Sequence, residues 1–228
     1  MHLSDAHHTR KMVAGACMML APVLLLVSTI VRPELHDGTA AQLGEIARHA
    51  DAWYAAELIG LLSIVLAVPA VLGLMHMLRE RRVADGHVGG GMALLGLLAF
   101  TGLTAVGMVA WLGATGDDAA ATAAVVERFE ETAGSMIPFY LGSFLWATGM
   151  CVLAFGLFSA RAVSPISAAC LAAGGIALVV GFAAAMSWLV IVGAALTAVG
   201  FCPIGYAVWR ESDAEWEHTP VRHAAGVA

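Results

Sequence analysis

Charged residues are scarce in this sequence. Asp, Glu, Lys and Arg make up 12% of its 228 residues, whereas an ordinary soluble domain carries roughly 25%. A stretch of 45 residues, from Pro165 to Trp209, contains none of the four. As a helix it would be about 68 Å long, roughly twice the hydrocarbon thickness of a bilayer, so it has to cross a membrane twice. The scarcity of charge excludes a soluble domain and indicates an integral membrane protein.

Several kinds of chemistry lack their motifs here. The net charge of −6 leaves no basic footprint for nucleic acid. The sequence has no phosphate-binding loop, no paired-histidine zinc or haem motif and no serine-nucleophile motif. Its four cysteines lie inside apolar runs without a C-x-x-C pair, so a secreted disulfide framework is not expected. We expect no nucleic-acid partner and no metal or organic cofactor.

Apolar segments divide the chain into six membrane spans, which predict an all-α helix bundle forming one domain over residues 1–228. The first segment is about twenty residues long and no small-residue cleavage site follows it, so we interpret it as an uncleaved span rather than a signal peptide. Residues 210–228 form a polar tail. The predicted spans are residues 12–31, 53–78, 89–114, 135–158, 165–186 and 188–209.

Basic residues predict how the bundle is oriented. Eight Lys and Arg residues fall on the side of the N-terminus and three on the opposite side. Because basic loops stay in the cytoplasm, both termini are expected there, in a multi-pass protein of the cell membrane. The eight are Arg10, Lys11, Arg79, Arg81, Arg82, Arg161, Arg210 and Arg222, and the three are Arg32, Arg48 and Arg128.

The two longer outer loops are acidic. Residues 32–52 and 115–134 together carry nine Asp and Glu residues against three Arg residues. We interpret this as a solvated face, with attraction of cations or basic partners as the alternative. The stretch Ala119–Glu131 has the propensity to form a helix.

Small residues repeat every four positions along one face of the fifth span, a pattern that lets helices approach closely. The face around Ala173, Ala177 and Gly181 is therefore a candidate surface for a homo-oligomer. The full series is Ala169, Ala173, Ala177, Gly181 and Ala185.

Glu57 is the only Asp, Glu, Lys or Arg well inside a predicted span. It lies one helical turn beyond Trp53, so the two share a face of the second span near its outer end. Burial of a carboxyl in a bilayer is costly, and the cheapest response is to stay protonated. A neutral acid in an apolar pocket can donate a proton, which makes Glu57 a candidate general acid or cation site. The alternative is a carboxyl that reaches the interface or hydrogen-bonds a neighbouring helix.

Aromatic residues gather at the same outer level. Their ordinary explanation is an interfacial belt. If they face inward beside Glu57, they would instead stabilise a cation, because aromatic faces carry negative quadrupole charge. The candidate substrate-binding residues are Trp53, Tyr54, Trp111 and Tyr140.

The four cysteines lie at similar depth near the cytoplasmic ends of their spans. Such an arrangement would permit a soft-metal site. None of them belongs to a paired ligand motif, and Cys is common as a small apolar residue in buried helices, so packing is the preferred interpretation. The four are Cys17, Cys151, Cys170 and Cys202.

Three segments carry a resemblance that covers most of the chain: Arg10–Pro22, His49–Trp53 before the second span, and Gly200–Gly205 (GFCPIG) in the last span. In these segments and in its layout the chain resembles a group of small actinobacterial six-span membrane proteins, mostly of unknown function.

In size and span count the chain also resembles the integral-membrane terpene cyclases of fungal meroterpenoid and bacterial indole-sesquiterpene pathways. Those enzymes are compact bundles that protonate a prenyl chain or its epoxide and fold it through a carbocation, using acidic residues near the membrane surface. The resemblance implies Glu57 as one catalytic acid. No second carboxylate lies within a later span, so it implies Asp117 or Asp118, at the outer end of the third span, as the other, unless Glu57 acts alone.

Three hypotheses of function follow. The leading one is a cyclase for a lipophilic prenylated, for example indole-linked, substrate, with Glu57 as proton donor and the four aromatic residues along the cation path. It is favoured because proton-initiated cyclisation needs an acid, an apolar mould and aromatic walls, but no metal or nucleotide. The second is an ion-coupled transporter that titrates Glu57. The third is a non-catalytic scaffold or accessory subunit in which Glu57 binds a partner helix.

Overall fold

The computed structural model describes residues 3–36, 38–116 and 119–216, and within these ranges the chain is helical apart from short turns. No strand is found in the described ranges. The helices are α1 (Leu3–Val31), α2 (Thr39–Arg48), α3 (Ala50–Met77), α4 (Val83–Thr115), α5 (Ala119–Glu131), α6 (Ala133–Ser159), α7 (Pro165–Ala183), α8 (Ser187–Arg210) and α9 (Asp213–Trp216).

Six of these helices, α1, α3, α4, α6, α7 and α8, are long and apolar enough to cross a membrane. The predicted all-α bundle of six spans is therefore confirmed, whereas the cytoplasmic placement of the termini stays a prediction. The helix α5 has the bounds that its propensity predicts. The helix α2 is not predicted from apolar length, because only one side of it is buried. Leu43 and Ile46 are buried, and Ala47 and Arg48 are exposed.

The six spans form a closed ring. The helix α1 packs against α3 and α8, α4 lies between α3 and α6, and α7 joins α6 to α8. We call the half of the ring that holds Met18 of α1 and Leu74 of α3 the inner half. The half that holds Ser28 of α1 and Glu57 of α3 is the outer half. In the predicted orientation the inner half faces the cytoplasm.

Glycines bring two pairs of spans into backbone contact. A Cβ on Gly149 of α6 would lie 2.6 Å from the backbone of Gly89 of α4, and a Cβ on Gly174 of α7 would lie 2.8 Å from the backbone nitrogen of Thr197 of α8. Helices can approach this closely only where the side chain is a hydrogen atom. The many glycines are thus explained by packing inside one chain.

The face predicted for a homo-oligomer is divided in the structure. Gly181 packs against Val190 of α8 in the same chain, whereas Ala173 is exposed and Ala177 is half-buried. A homo-oligomer on this side of α7 stays a prediction, and Ala173 is the residue of the three that is free to contact a second copy.

Buried residues concentrate in the inner half. Met18 of α1, Leu74 of α3 and Leu153 of α6 are each 0% exposed and belong to one apolar cluster that fills the ring there. Trp146 closes the cluster toward the outer half, with Phe100 packed edge-on against it at 5.7 Å between ring centroids. The inner half of the ring is a packed core.

The outer half is packed more loosely, which is clearest on the interior face of α4. Residues at helical spacing on this face are buried between Gly86 and Leu97. Further along the helix the same face is only half-buried until Ala110. We call these half-buried positions the outer stripe; they are Phe100, Leu103, Thr104 and Gly107.

The helix α6 loosens at the same level. It begins at Ala133, but its first buried residue is Gly142. Because α6 is a neighbour of α4 in the ring, the two helices together leave the outer stripe only partly covered.

Candidate functional site

Glu57 forms an ion pair with Arg32 at the outer end of the bundle. Nη1 of Arg32 lies 2.7 Å from Oε1 of Glu57, and the two side chains are 16% and 3% exposed. Arg32 directly follows Val31, the last residue of α1. Each charge is the other's counter-ion, which matters because an unpaired buried charge costs several kcal/mol.

Trp53 and Gly107 hold this pair in place. Nε1 of Trp53 donates a hydrogen bond to the Gly107 carbonyl at 3.2 Å, and the Arg32 guanidinium carbon lies 4.9 Å from the centroid of the Trp53 ring. A Cβ on Gly107 would lie 2.5 Å from Oε1 of Glu57, so the carboxylate rests directly against the backbone of α4. A cation–π contact and an ion pair therefore fix Arg32 from two sides.

Ser28 ties the last turn of α1 to α3. Its hydroxyl donates to the Ala56 carbonyl at 2.9 Å, and its carbonyl accepts the backbone N–H of Arg32 at 3.0 Å. Gly60 of α3 makes room for the hydroxyl, since a Cβ there would lie 3.1 Å from it. The position of Arg32 relative to Glu57 is thus set by backbone contacts as well as by charge.

The pair changes what Glu57 can do. The sequence predicts a neutral acid in an apolar pocket, whereas in the structure Oε1 accepts a hydrogen bond from a guanidinium, the geometry of an ion pair. A carboxyl that donates a proton to a substrate has to leave this pair first. As arranged, the site is closed and charge-balanced, and it becomes available for chemistry only when Arg32 and Glu57 separate.

The predicted aromatic residues fall into two groups. Tyr54 and Trp111 stack with ring centroids 4.7 Å apart, and Trp111 packs beside the small apolar cluster that contains Trp53. Three of the four predicted residues therefore lie together beside Glu57. Tyr140 lies on α6, where its side chain is 62% exposed.

A cap covers the outer end of α3 and α4. Leu43 and Ile46 of α2 form a buried cluster with Trp53 and Ala110. A shallow apolar cavity of about 300 Å³ lies between α2, α4 and α5. Its lining is Ala40, Leu43, Gly44, Ala47, Ala114, Ala120 and Ala123.

Two other predicted sites gain no support from the described residues. Asp117 and Asp118 lie outside the described residues. The four cysteines lie on α1, α6, α7 and α8 with free thiols, and within the described ranges no three His, Cys, Asp or Glu side chains come close enough to hold a metal ion. The soft-metal alternative thus has no support from the described part of the chain.

Arg32 is a site residue that the sequence analysis does not predict, because in the sequence it is one of three basic residues of the outer loops. A signal for it exists. It follows the last apolar residue of the first span, at about the depth predicted for Glu57, and a carboxyl at membrane depth usually has a partner of opposite charge.

Comparison with known proteins adds no family to this description. No protein-family model, curated protein or solved structure matches the chain.

Proposed function

We propose that the protein is a membrane-embedded cyclase that folds a lipophilic prenylated molecule bound along the outer stripe. The observation that carries the proposal is the position of one ionisable carboxyl, Glu57, beside a half-buried and uncharged stretch of α4. An acid next to an apolar mould with aromatic walls is what proton-initiated cyclisation needs.

Each residue of the site has a proposed role. Glu57 donates the proton that starts cyclisation, after Arg32 has moved away from it. Trp53 then presents to the substrate cation the ring face that Arg32 occupies in the closed site. Tyr54 and Trp111 form the adjoining wall, and Tyr140 and the acids Asp117 and Asp118 remain proposed members of the site.

A second candidate is an ion-coupled carrier. The observation that favours it is the ion pair itself, since a membrane carboxylate that exchanges a basic side chain for a proton or cation is a coupling element in transport. The two candidates differ in product: a cyclase changes the covalent structure of its substrate, whereas a carrier moves an unchanged substrate together with an ion.

The decisive test compares the replacement of Glu57 with the replacement of a matched carboxyl, Glu45. Membranes containing the parent, Glu57→Gln or Glu45→Gln are incubated with farnesylated and geranylgeranylated aromatic compounds, and cyclised products are measured by mass and retention time. Glu45 is the control because it is also buried and paired, with Arg48 at 2.5 Å, but on α2. We expect Glu57→Gln to lower product formation by about 10²-fold or more, the scale of general acid catalysis, and Glu45→Gln to stay near the parent.

Two outcomes end the cyclase proposal: full activity of Glu57→Gln, or no cyclised product from the parent with any of these compounds. In the second case, substrate-dependent proton uptake by liposomes containing the parent would establish the carrier. Trp111→Leu gives an independent check, because a wall residue alters the product distribution, whereas a belt residue alters only the yield of folded protein.

A further inference from the structure

Arg32 has more hydrogen-bond donors than its surroundings use. A guanidinium carries five N–H groups. Among the described residues the Arg32 side chain makes one hydrogen bond, to Glu57, and its Nε is buried without an acceptor. A buried donor without an acceptor is costly, and the guanidinium fork matches the two oxygens of a phosphate or carboxylate. Within the described residues, the Arg32 guanidinium therefore has donors left over for an anion.

If Arg32 turns to another anion, the Glu57 carboxylate loses its counter-ion. Its carboxylate is 3% exposed and rests on the Gly107 backbone, and within the described part of the chain Arg32 is its one hydrogen-bond partner. A buried carboxylate that loses its counter-ion is neutralised by a proton.

We propose that Arg32 and Glu57 form an exchange site for the anionic head group of a lipophilic molecule: a phosphate or carboxylate takes Arg32, and Glu57 takes up one proton. The inference rests on the proposed function, because it names the head group of the substrate and explains how Glu57 becomes a neutral acid. The proton comes from the outer aqueous phase. For a head group with one negative charge, the charge of the site is unchanged by the exchange.

The position of the pair fits an amphiphile. Arg32 lies where α1 leaves the bundle, at the level of lipid head groups in the predicted orientation, and the outer stripe of α4 begins at Gly107, which touches Glu57. A head group on Arg32 thus places its apolar tail beside half-buried apolar side chains.

Few other charged or titratable groups surround Glu57. Among the described residues, the segment after α1 contributes Arg32, Glu34 and His36, and α2 contributes Glu45 and Arg48. The first turn of α3 follows His49 and contains Asp51, and Tyr54 lies one turn before Glu57. The helix α4 presents no titratable residue between His87 and Thr115. Glu34, His49 and Asp51 are exposed, and Glu45 keeps its own partner, Arg48. Because Glu57 is the group that loses its counter-ion in the exchange, proton uptake on binding is assigned to Glu57.

The test measures binding and proton uptake together. The full-length protein in phosphatidylcholine nanodiscs is titrated with farnesyl methyl phosphate, a phosphodiester whose charge does not change near neutral pH, in buffers of different ionisation enthalpy. We expect uptake of one proton per bound molecule, and an affinity that weakens about tenfold for each unit of rising pH, as one linked proton requires. Farnesyl methyl ether, which has no charge, should bind far more weakly.

Three variants keep the test independent of folding. Glu57→Gln keeps Arg32 and a hydrogen-bond acceptor, so it should bind the phosphodiester at least as tightly and without proton uptake. The double variant Arg32→Gln, Glu57→Gln leaves no buried charge unpaired and should lose binding. Arg48→Gln removes an outer arginine that is 67% exposed and should bind like the parent.

Further measurements identify where the bound anion comes from and separate a failure of the exchange site from a failure of the cyclase proposal. Competition by phosphatidylglycerol nanodiscs identifies a lipid head group as the ligand, and binding of dimethyl phosphate alone identifies a free anion. Binding without proton uptake, or binding retained in the double variant, overturns the exchange site. If a neutral prenylated compound is nevertheless cyclised, the proposed function stands without the exchange site. Proton-linked binding without any cyclised product supports the exchange site and removes the cyclase.

Discussion

The two ends of α4 have nearly the same composition and opposite surroundings. From Gly86 to Leu97 its interior face is buried, and at Gly89 and Gly96 it closely approaches backbone atoms of α6. From Phe100 to Gly107 the same face is half-buried. Uncharged composition along α4 therefore does not distinguish a buried face from a partly covered one.

The two ends of the ring are also closed differently. At the outer end, α2 covers α3 and α4 beside the Arg32–Glu57 pair. At the inner end, the short helix α9 is held by a hydrogen bond and a ring stack. Nζ of Lys11 donates to Asp213 at 2.5 Å, and the Trp216 and His76 rings stack with their centroids 4.5 Å apart. At the inner end α9 thus docks on a packed core, whereas at the outer end α2 covers a loosely packed region.

The largest expected effect compares leucines from the two halves. Leu153 is 0% exposed in the inner core, and Leu103 belongs to the half-buried outer stripe. Leu153→Ala should lower the free energy of unfolding by roughly 2–4 kcal/mol, because it leaves a cavity in a packed core, and Leu103→Ala by less than about 1 kcal/mol. Equilibrium unfolding in mixed micelles measures both. Equal losses would show that the halves are packed alike.

A smaller effect is expected where α9 docks at the inner end of the ring. Trp216 is 5% exposed, and its carbonyl accepts hydrogen bonds from Arg79 and His76 at 3.2 Å each. Trp216→Ala should destabilise docking of α9 by roughly 1–2 kcal/mol, less than burial in a core, because the tail can detach while the spans stay folded. Tryptic cleavage after Arg210 reports detachment. Trp209→Ala, at a site 43% exposed, is the control. Equally fast cleavage of the Trp209→Ala variant would refute a specific role of Trp216 in docking α9.

Much of this fold is readable from the sequence, and the site is not. Span number follows from apolar length, and α5 from propensity. The helix α2 has too few apolar residues to be noticed alone, and its burial depends on meeting Trp53 and Ala110. The ion pair joins residues 25 positions apart, Arg32 just after α1 and Glu57 on α3. Tertiary packing alone decides whether Glu57 meets a lipid, a substrate or Arg32. The outer stripe likewise depends on where α6 stops packing.

The smallest effect concerns pH at the inner end. Hydrogen bonds from Lys11, and then from His8, hold the pKa of Asp213 below its ordinary value. A folded-state pKa that is lowered contributes docking that is present above the ordinary pKa and is lost as the pH falls through the lowered one. Asp213→Asn should therefore weaken docking of α9 at neutral pH and remove this acid-dependent loss. Fluorine NMR of a labelled Trp216 follows docking, and an unchanged acid transition in the variant would contradict the assignment.

Photolabelling shows directly where a lipophilic ligand contacts α4. A farnesylated aromatic probe carrying a diazirine is photolysed with the full-length protein in bilayers, with and without excess unlabelled compound, and labelled residues are identified by mass spectrometry. We expect that competed labelling falls on the outer stripe, from Phe100 to Gly107, and spares Gly86–Leu97. Labelling confined to exposed, lipid-facing positions such as Leu98 and Val109, undiminished by the competitor, would contradict it.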